Sequence, residues 1–308
     1  MKVQQRKALD LQASGLMVVL CMIWAIQQVI IKLAALDIAP IMQIALRSGL
    51  AAILVYPLIP KGTQLLNKDY LLPGIWLALL FSAEFLLVAQ ALSLTSAAHT
   101  VVLLYTAPIF VALGLHWKLP SEQLKPLQWI GIGLAFGGIM LAFLGREGQA
   151  LSSQVFLGDL MALGAGIMWA MTTISLRLSQ LGDAAPTQTL FYQLVGGFVF
   201  LLPIAYLLGQ SSIHWSNTAI LSMLFHVLVM SFFSLMLWFW LLRKYLANRL
   251  GVFSFLTPIF GVIFGVIFLN EKLELHFMIG TSLVMLGVML VSSSAWLVQK
   301  WHKKTLKI

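Results

Sequence analysis

A chain of 308 residues that is 60% apolar and 9% charged cannot cover its surface with polar groups in water, where a soluble domain carries roughly 25% charged residues. Its mean hydropathy of +0.95 points to lipid as the main solvent. The net charge of +9 comes from basic residues scattered singly and in pairs, without the basic stripe of a nucleic-acid surface, and one cysteine, Cys21, excludes an internal disulfide or a Cys-based metal cluster.

Windows of about 20 apolar residues predict an all-α membrane protein of ten transmembrane helices. Spans 1 to 10 cover 14–35, 41–59, 71–93, 97–117, 126–144, 157–179, 187–208, 218–242, 251–269 and 276–298. Pro40, Pro60, Pro120, Pro126, Gly145, Pro186 and Gly209 punctuate the short gaps. The basic flank of span 1 (Lys2, Arg6, Lys7) resembles that of a signal sequence, but the span is too long for a typical signal core and the repeat below needs it. With a cytoplasmic N-terminus, only Arg146 and Lys272 fall on external segments, and Lys32 and Arg47 fall within spans 1 and 2. The other 15 of the 19 Lys and Arg are cytoplasmic. This bias predicts both termini inside, in a multi-pass protein of the bacterial inner membrane.

Polar residues at depth are the candidates for function, because a charge at a helix centre costs roughly 2.5–3.5 kcal/mol. Span 1 carries Trp24, Gln27 and Gln28; Trp24 and Gln28 share a face, whereas Gln27 points about 100° away from Gln28. Lys32 and Arg47 either snorkel to external headgroups or meet a substrate carboxylate or an acidic side chain. Glu84, near the middle of span 3, has no basic residue in its own span. It is a substrate-amine or proton-coupling site, or else a neutral acid hydrogen-bonded between helices. Span 4 offers His99, Tyr105 and Pro108; span 6 offers Trp169, Thr172 and Thr173, with Trp169 and Thr173 on one face. Span 8 holds His226, Ser231, Ser234 and Trp238, and span 9 holds Thr257 and Pro258. His226 either titrates near neutral pH or is a hydrogen-bonded structural residue. The two tryptophans Trp24 and Trp169 either line a cavity or face lipid. Pro108 and Pro258 are gating kinks or packing kinks. Small-xxx-small spacing at Gly133/Gly137 and Gly261/Gly265 suits close helix packing, within a monomer or across a weak homodimer.

The chain repeats itself at an offset of 145 to 150 residues. Ile23-Trp24-Ala25 and Lys32 are answered by Met168-Trp169-Ala170 and Arg177. Pro40 is answered by Pro186, Pro108-Ile109-Phe110 by Pro258-Ile259-Phe260, Glu122 by Glu271, and Gly131 and Gly138 by Gly280 and Gly287. Residues 1–149 and 150–308 thus form two five-span repeats. An odd number of spans per unit inserts the second unit upside down, an arrangement shared by many secondary transporters. Under this offset Ser234 corresponds to Glu84, so the halves differ in chemistry at that depth.

The five-plus-five arrangement, the Trp-Ala of each first helix and the Pro-Ile-Phe of each fourth resemble the EamA family of the drug/metabolite transporter superfamily. The resemblance spans the chain. It implies a carrier, often an exporter of amino acids or related metabolites, with a cavity between the halves.

These readings predict a secondary transporter exporting an amine-bearing small molecule by alternating access, with a permease for organic cations or an uptake system as alternatives. The expected substrate-binding residues are Trp24, Gln28, Glu84, Tyr105, Trp169, Thr173, Ser234 and Trp238, with Glu84 for coupling and Pro108 and Pro258 for gating. No cofactor or metal is expected. The sequence lacks a P-loop, and it lacks Gly-x-Ser-x-Gly and His-Glu-x-x-His, so neither ATP drive within the chain nor an intramembrane enzyme is expected. A passive channel would repeat its polar rings, and these halves do not.

Overall fold

The structure, a computed structural model, describes residues 10–120, 123–144, 152–245 and 253–305. Glu122, Gly145, Arg146 and Arg249, with Lys2, Arg6, Lys7 and Lys307, lie outside the described residues. Among those described, the regular elements are helices joined by turns and short irregular segments, with an isolated backbone bridge between Ile38 and Ile213. The first six helices are α1 (Leu11–Leu33), α2 (Pro40–Val55), α3 (Lys68–Leu94), α4 (Ala97–Leu104), α5 (Ala107–Lys118) and α6 (Pro126–Leu144). They are followed by α7 (Ser153–Leu178), α8 (Pro186–Leu207), α9 (Asn217–Leu224), α10 (Ser234–Lys244), α11 (Leu256–Leu269) and α12 (Leu275–Thr305). A π-helical segment, Phe225–Phe233, joins α9 to α10.

Seven stretches are long and apolar enough to cross a membrane, counting α4 with α5 as one and Asn217–Trp238 as one. Three shorter apolar stretches, Pro126–Ala142, Leu256–Leu269 and Leu275–Val291, accompany them. Their ends follow local chemistry. Asp10, Ser96, Ser152 and Ser216 accept backbone N–H groups at the starts of α1, α4, α7 and α9, satisfying donors that a helix leaves unpaired. Pro40 and Pro186 begin α2 and α8, where the missing N–H costs nothing. Asn270, left-handed at φ 52°, ends α11.

Helices 4 and 9 of the sequence reading are both broken just before their prolines. Tyr105 and Thr106 interrupt span 4 before Pro108, and Ser254 and Phe255 interrupt span 9 before Pro258. The helix resumes at Ala107 and at Leu256.

Packing joins early helices to late ones. α6 lies along α12, α3 along α7 and α8, α2 along α8, and α1 along α11, while α4 touches α7 and α11. The α6–α12 crossing is antiparallel and rests on four glycines. A Cβ on Gly131 would stand 2.8 Å from the Gly287 carbonyl oxygen, and one on Gly138 would stand 2.5 Å from that of Gly280. Gly133 and Gly137, the small pair expected to pack, have nothing within 4 Å of where a Cβ would sit. They face away from the crossing because seven residues return to the same helix face and two do not. In α11, Gly261 meets Val101 and Gly265 meets the Glu271 side chain. The largest apolar cluster gathers Ile31, Ile41, Ile44, Val88, Leu92 and Leu201 from α1, α2, α3 and α8.

Candidate functional site

The predicted residues fall into adjoining groups. On one side, the Trp24 indole N–H donates to the Ser234 hydroxyl at 3.2 Å. The Trp24 ring meets Trp238 edge-on, with centroids 5.6 Å apart. This ties α1 to α10 just after the π-helical segment. Ser234 in turn donates to the Met230 carbonyl, so its one proton is committed while an acceptor lone pair remains. On the other side, Tyr105 at the break in span 4 meets Trp169 of α7 edge-on at 5.1 Å. Thr173 donates back to the Trp169 carbonyl at 3.0 Å, the local bond that threonine makes in membrane helices.

Glu84 lies buried on α3. It makes no hydrogen bond or ion pair among the described residues, and it sits within electrostatic range of the Arg47 guanidinium and the Tyr105 phenol. Two buried polar atoms on other helices lack partners among the described residues: Gln28 Oε1 on α1 and Thr257 Oγ1, one residue into α11. Thr257 lies close to both Tyr105 and Cys21 without a well-formed hydrogen bond to either. Buried polar groups are nearly always satisfied, so unpaired atoms such as Gln28 Oε1 and Thr257 Oγ1 are candidates to meet water or a ligand. Pro108 is half-buried and Pro258 buried, and both lie within four residues of Tyr105 or Thr257.

Arg47 does not snorkel. It is only 2% exposed, and its Nη1 donates to Gln27 Oε1 at 3.0 Å. The guanidinium carbon stands 4.7 Å from the centroid of the Phe85 ring, a cation–π contact. Gln27, which faces away from Gln28, therefore serves this second centre. The His226 ring lies beneath it, with Nδ1 2.8 Å from the Ser222 carbonyl and Nε2 3.3 Å from the Gln27 carbonyl. Ser222 donates to Gln43 Oε1, and the Gln43 amide donates to the carbonyls of Ile31 and Ile38. The result is a continuous buried polar network across α1, α2 and the π-helical segment.

A third polar group ties helix ends together. Lys32 Nζ donates to the Thr95 carbonyl at 2.5 Å and stands 3.6 Å from Glu271. The Glu271 carboxylate accepts the N–H groups of Ala97 and Ala98, at 2.6 and 3.0 Å, where a carboxylate complements a helix N-terminus. His99 Nδ1 lies 3.0 Å from Asp159, which also accepts from the Thr95 hydroxyl at 2.6 Å. Among the described residues no group of three or more His, Cys, Asp or Glu could hold a metal ion.

A family model described as the EamA-like transporter family matches residues 12–144 and, a second time, residues 156–293. The chain is similar to an uncharacterized transporter, YoaV, of Bacillus subtilis (strain 168), 24% identical over 271 residues that cover 87% of this chain and 92% of that protein. It is similar to a probable amino-acid metabolite efflux pump of Escherichia coli (strain K12), 26% identical over 275 residues, 86% of this chain and 90% of that one. A solved structure described only as the crystal structure of a protein superposes with a TM-score of 0.65 over 93% of this chain and 98% of its own, at 16% identity. That likeness concerns the fold.

Proposed function

The chain belongs to the EamA-like transporter family, and from that premise we propose that it is a secondary carrier exporting an amine-bearing small metabolite across the bacterial inner membrane. The observation that carries the reading is Glu84: a buried carboxyl, without hydrogen bond or ion pair among the described residues, within electrostatic range of Tyr105. A carboxylate held in a low-dielectric site attracts an ammonium group or a proton far more strongly than it would in water. Trp24, Trp169, Trp238 and Tyr105 supply the apolar walls typical of a small-molecule site, with Gln28, Thr173 and Ser234 as the polar members of the lining.

The proposed transport mechanism is alternating access between five-span halves of opposite orientation, residues 1–149 and 150–308, with both termini cytoplasmic. It is supported by the double family match and by the glycine crossing. Gly131 and Gly138 correspond to Gly280 and Gly287 at a constant offset of 149, yet Gly131 touches Gly287 and Gly138 touches Gly280. Contacts exchanged in this way are those of a two-fold axis, and the antiparallel crossing lays that axis across the helices. Two inverted copies of one asymmetric unit then have two states of similar energy. The matching breaks ahead of Pro108 and Pro258 are the proposed hinges.

Counterflow in liposomes, screened over amino acids, amines and organic cations, tests the assignment. Saturable exchange of an amine-bearing compound is expected; ohmic ion current without saturation overturns the carrier reading. Glu84→Gln is expected to abolish coupled transport at normal expression, and wild-type rates in that variant would remove Glu84 from the mechanism.

A further inference from the structure

An apolar groove opens sideways between α2, α8 and α9, on the seam between the two segments that match the family model. It encloses about 920 Å³ and adjoins a second hollow of about 310 Å³, which shares Leu50 and Leu224 with it. Every residue lining the two is apolar, apart from the polar tips of Tyr56 and Trp215. The floor is the α2–α8 contact, where a Cβ on Gly49 would stand 2.6 Å from the Phe198 ring. The repeat shows why the walls stand apart. α2 corresponds to α8 at the offset of Pro40 and Pro186, and α3 corresponds to α9 and the π-helical segment at that of Glu84 and Ser234. The seam equivalent to this one is therefore α3 against α8, and that seam is shut. A Cβ on Gly74 would stand 2.8 Å from the Tyr192 ring, and one on Gly196 would strike Ala78. The counterparts of Gly74 and Tyr192 are Leu224 and Leu46, and those of Gly196 and Ala78 are Leu50 and Leu228. All four leucines line the hollows. Where glycine lets two helices touch, leucine holds them apart.

We propose that this groove is a lipid-binding site, holding an acyl chain of a phospholipid from the cytoplasmic leaflet and so bridging the two halves. An unfilled apolar hollow forfeits dispersion contacts along its lining, and in a bilayer the chains that can fill it are as apolar as leucine. The dimensions suit one such chain. From Leu46 to Tyr56 the α2 wall rises about 15 Å, half of the roughly 30 Å hydrocarbon core and so the depth of one leaflet. The two ends differ in charge. Trp215 lies between His214, whose N–H donates to the Asp37 carbonyl at 2.8 Å, and Ser216, whose hydroxyl donates to the Asp37 carboxylate at 2.6 Å. An acid thus stands beside that end. At the other, Tyr56 packs on Phe191 with ring centroids 5.6 Å apart, a place for an interfacial tyrosine. The chain leaving Tyr56 turns at Pro60–Thr63, where the Thr63 N–H donates to the Pro60 carbonyl at 3.2 Å and Lys61 is exposed within the turn. A lipid phosphate is repelled at the first end and attracted at the second, which is cytoplasmic in the proposed orientation. The site uses that orientation and not the identity of what is carried.

The test uses the full-length protein in liposomes of phosphatidylethanolamine and phosphatidylglycerol, with a trace of phosphatidylglycerol carrying a diazirine in one acyl chain. After irradiation, adducts are located by mass spectrometry of the peptides. Leu50, Ile53 and Leu224 are expected to carry roughly tenfold more adduct than Ile130 and Met140, which are comparably exposed on α6 but line neither hollow. Adducts spread evenly over both faces overturn the site. Depth is read in the same way. A diazirine next to the headgroup is expected to mark Tyr56 and Ile53, and one at the chain end Leu46 and Met223. The reverse order, which sets the headgroup towards Asp37, overturns the proposal. Leu50→Trp fills the groove from its wall and is expected to cut adducts at Leu224 about tenfold while leaving those on α6 unchanged; undiminished adducts at Leu224 in the folded variant also overturn it. The first two comparisons need only the wild-type protein, so a misfolded Leu50→Trp does not block the result. Counterflow plays no part in the readout, so failure here leaves the transport assignment standing, and failure of that assignment leaves the groove.

Discussion

Asp10 joins two helix ends through a single carboxylate. One oxygen accepts the Ala13 N–H at 2.8 Å and the other accepts the Tyr245 hydroxyl at 2.7 Å, linking the start of α1 to the end of α10. The Ala13 N–H first, then the Tyr245 hydroxyl, hold this carboxyl below its ordinary value. A carboxyl depressed in the folded state contributes stability that is complete above its unfolded pKa and is lost as pH falls through the folded one. Asp10→Asn, which still caps the helix but removes the charge, is therefore expected to lower the melting temperature in detergent slightly at neutral pH. It should also flatten the decline between about pH 5 and pH 3. An unaltered acid slope in the variant would show that the decline originates elsewhere. Residue chemistry of this kind is partly visible in sequence. Glu84 stands out because it interrupts an apolar run, and Trp24 with Trp238 because each occupies the middle or inner part of a span. Arg47 was open to a snorkelling reading, since depth along a helix says nothing about azimuth. The signal lay one turn earlier: Gln43 and Arg47 are four residues apart and form a polar stripe on an otherwise apolar helix, which only a polar neighbour could satisfy.

Helices that touch through glycine carry a sharper test, because the same substitution separates a crossing face from an open one within a single element. Gly138→Ala places a methyl 2.5 Å from the Gly280 carbonyl oxygen, which a backbone cannot yield to cheaply. A cost of about 1–3 kcal/mol is expected, read as a lower melting temperature in detergent. Gly133→Ala and Gly137→Ala meet open space and are expected to leave it unchanged or raise it. A loss at Gly133 equal to that at Gly138 would contradict the crossing. The helices themselves were legible to within a few residues for most elements, since apolar length and Pro or Gly punctuation decide where a helix can run. The choice of glycine face was not, because small-xxx-small spacing identifies a candidate ridge and not its partner. The π-helical segment Phe225–Phe233 also left no trace in composition. One extra residue per turn there rotates the residues after it, so that Ser234 meets Trp24 while His226 meets Gln27; such segments recur at functional sites.

The polar contacts between Lys32, Glu271 and the start of α4 bind the first half of the chain to the second at one end of the bundle. With the proposed orientation this is the external end. The same end carries Asp37, which accepts from the Ser216 hydroxyl at 2.6 Å and whose carbonyl accepts the His214 N–H at 2.8 Å. A carrier that alternates must break such contacts in one half of its cycle, and whatever they contribute sets the balance between its states. Glu271 holds the leading position, since it pairs with Lys32 and receives two backbone N–H groups. Glu271→Gln keeps one acceptor oxygen and removes the charge. Loss of a charge-assisted contact of roughly 1.5 kcal/mol shifts a two-state balance about tenfold. Cys21 is the one cysteine in the chain, so Cys21→Ser gives a cysteine-free background into which Tyr105→Cys can be placed as a reporter at the break in span 4. Labelling of that reporter by an impermeant maleimide added outside is expected to accelerate about tenfold with Glu271→Gln, and to return towards the original rate with Glu271→Asp. If the melting temperature falls while labelling stays constant, Glu271 is a helix cap and nothing more. If labelling rises while the melting temperature holds, the contact is one the protein makes in only one of two comparably stable states, as the proposed alternating-access mechanism requires.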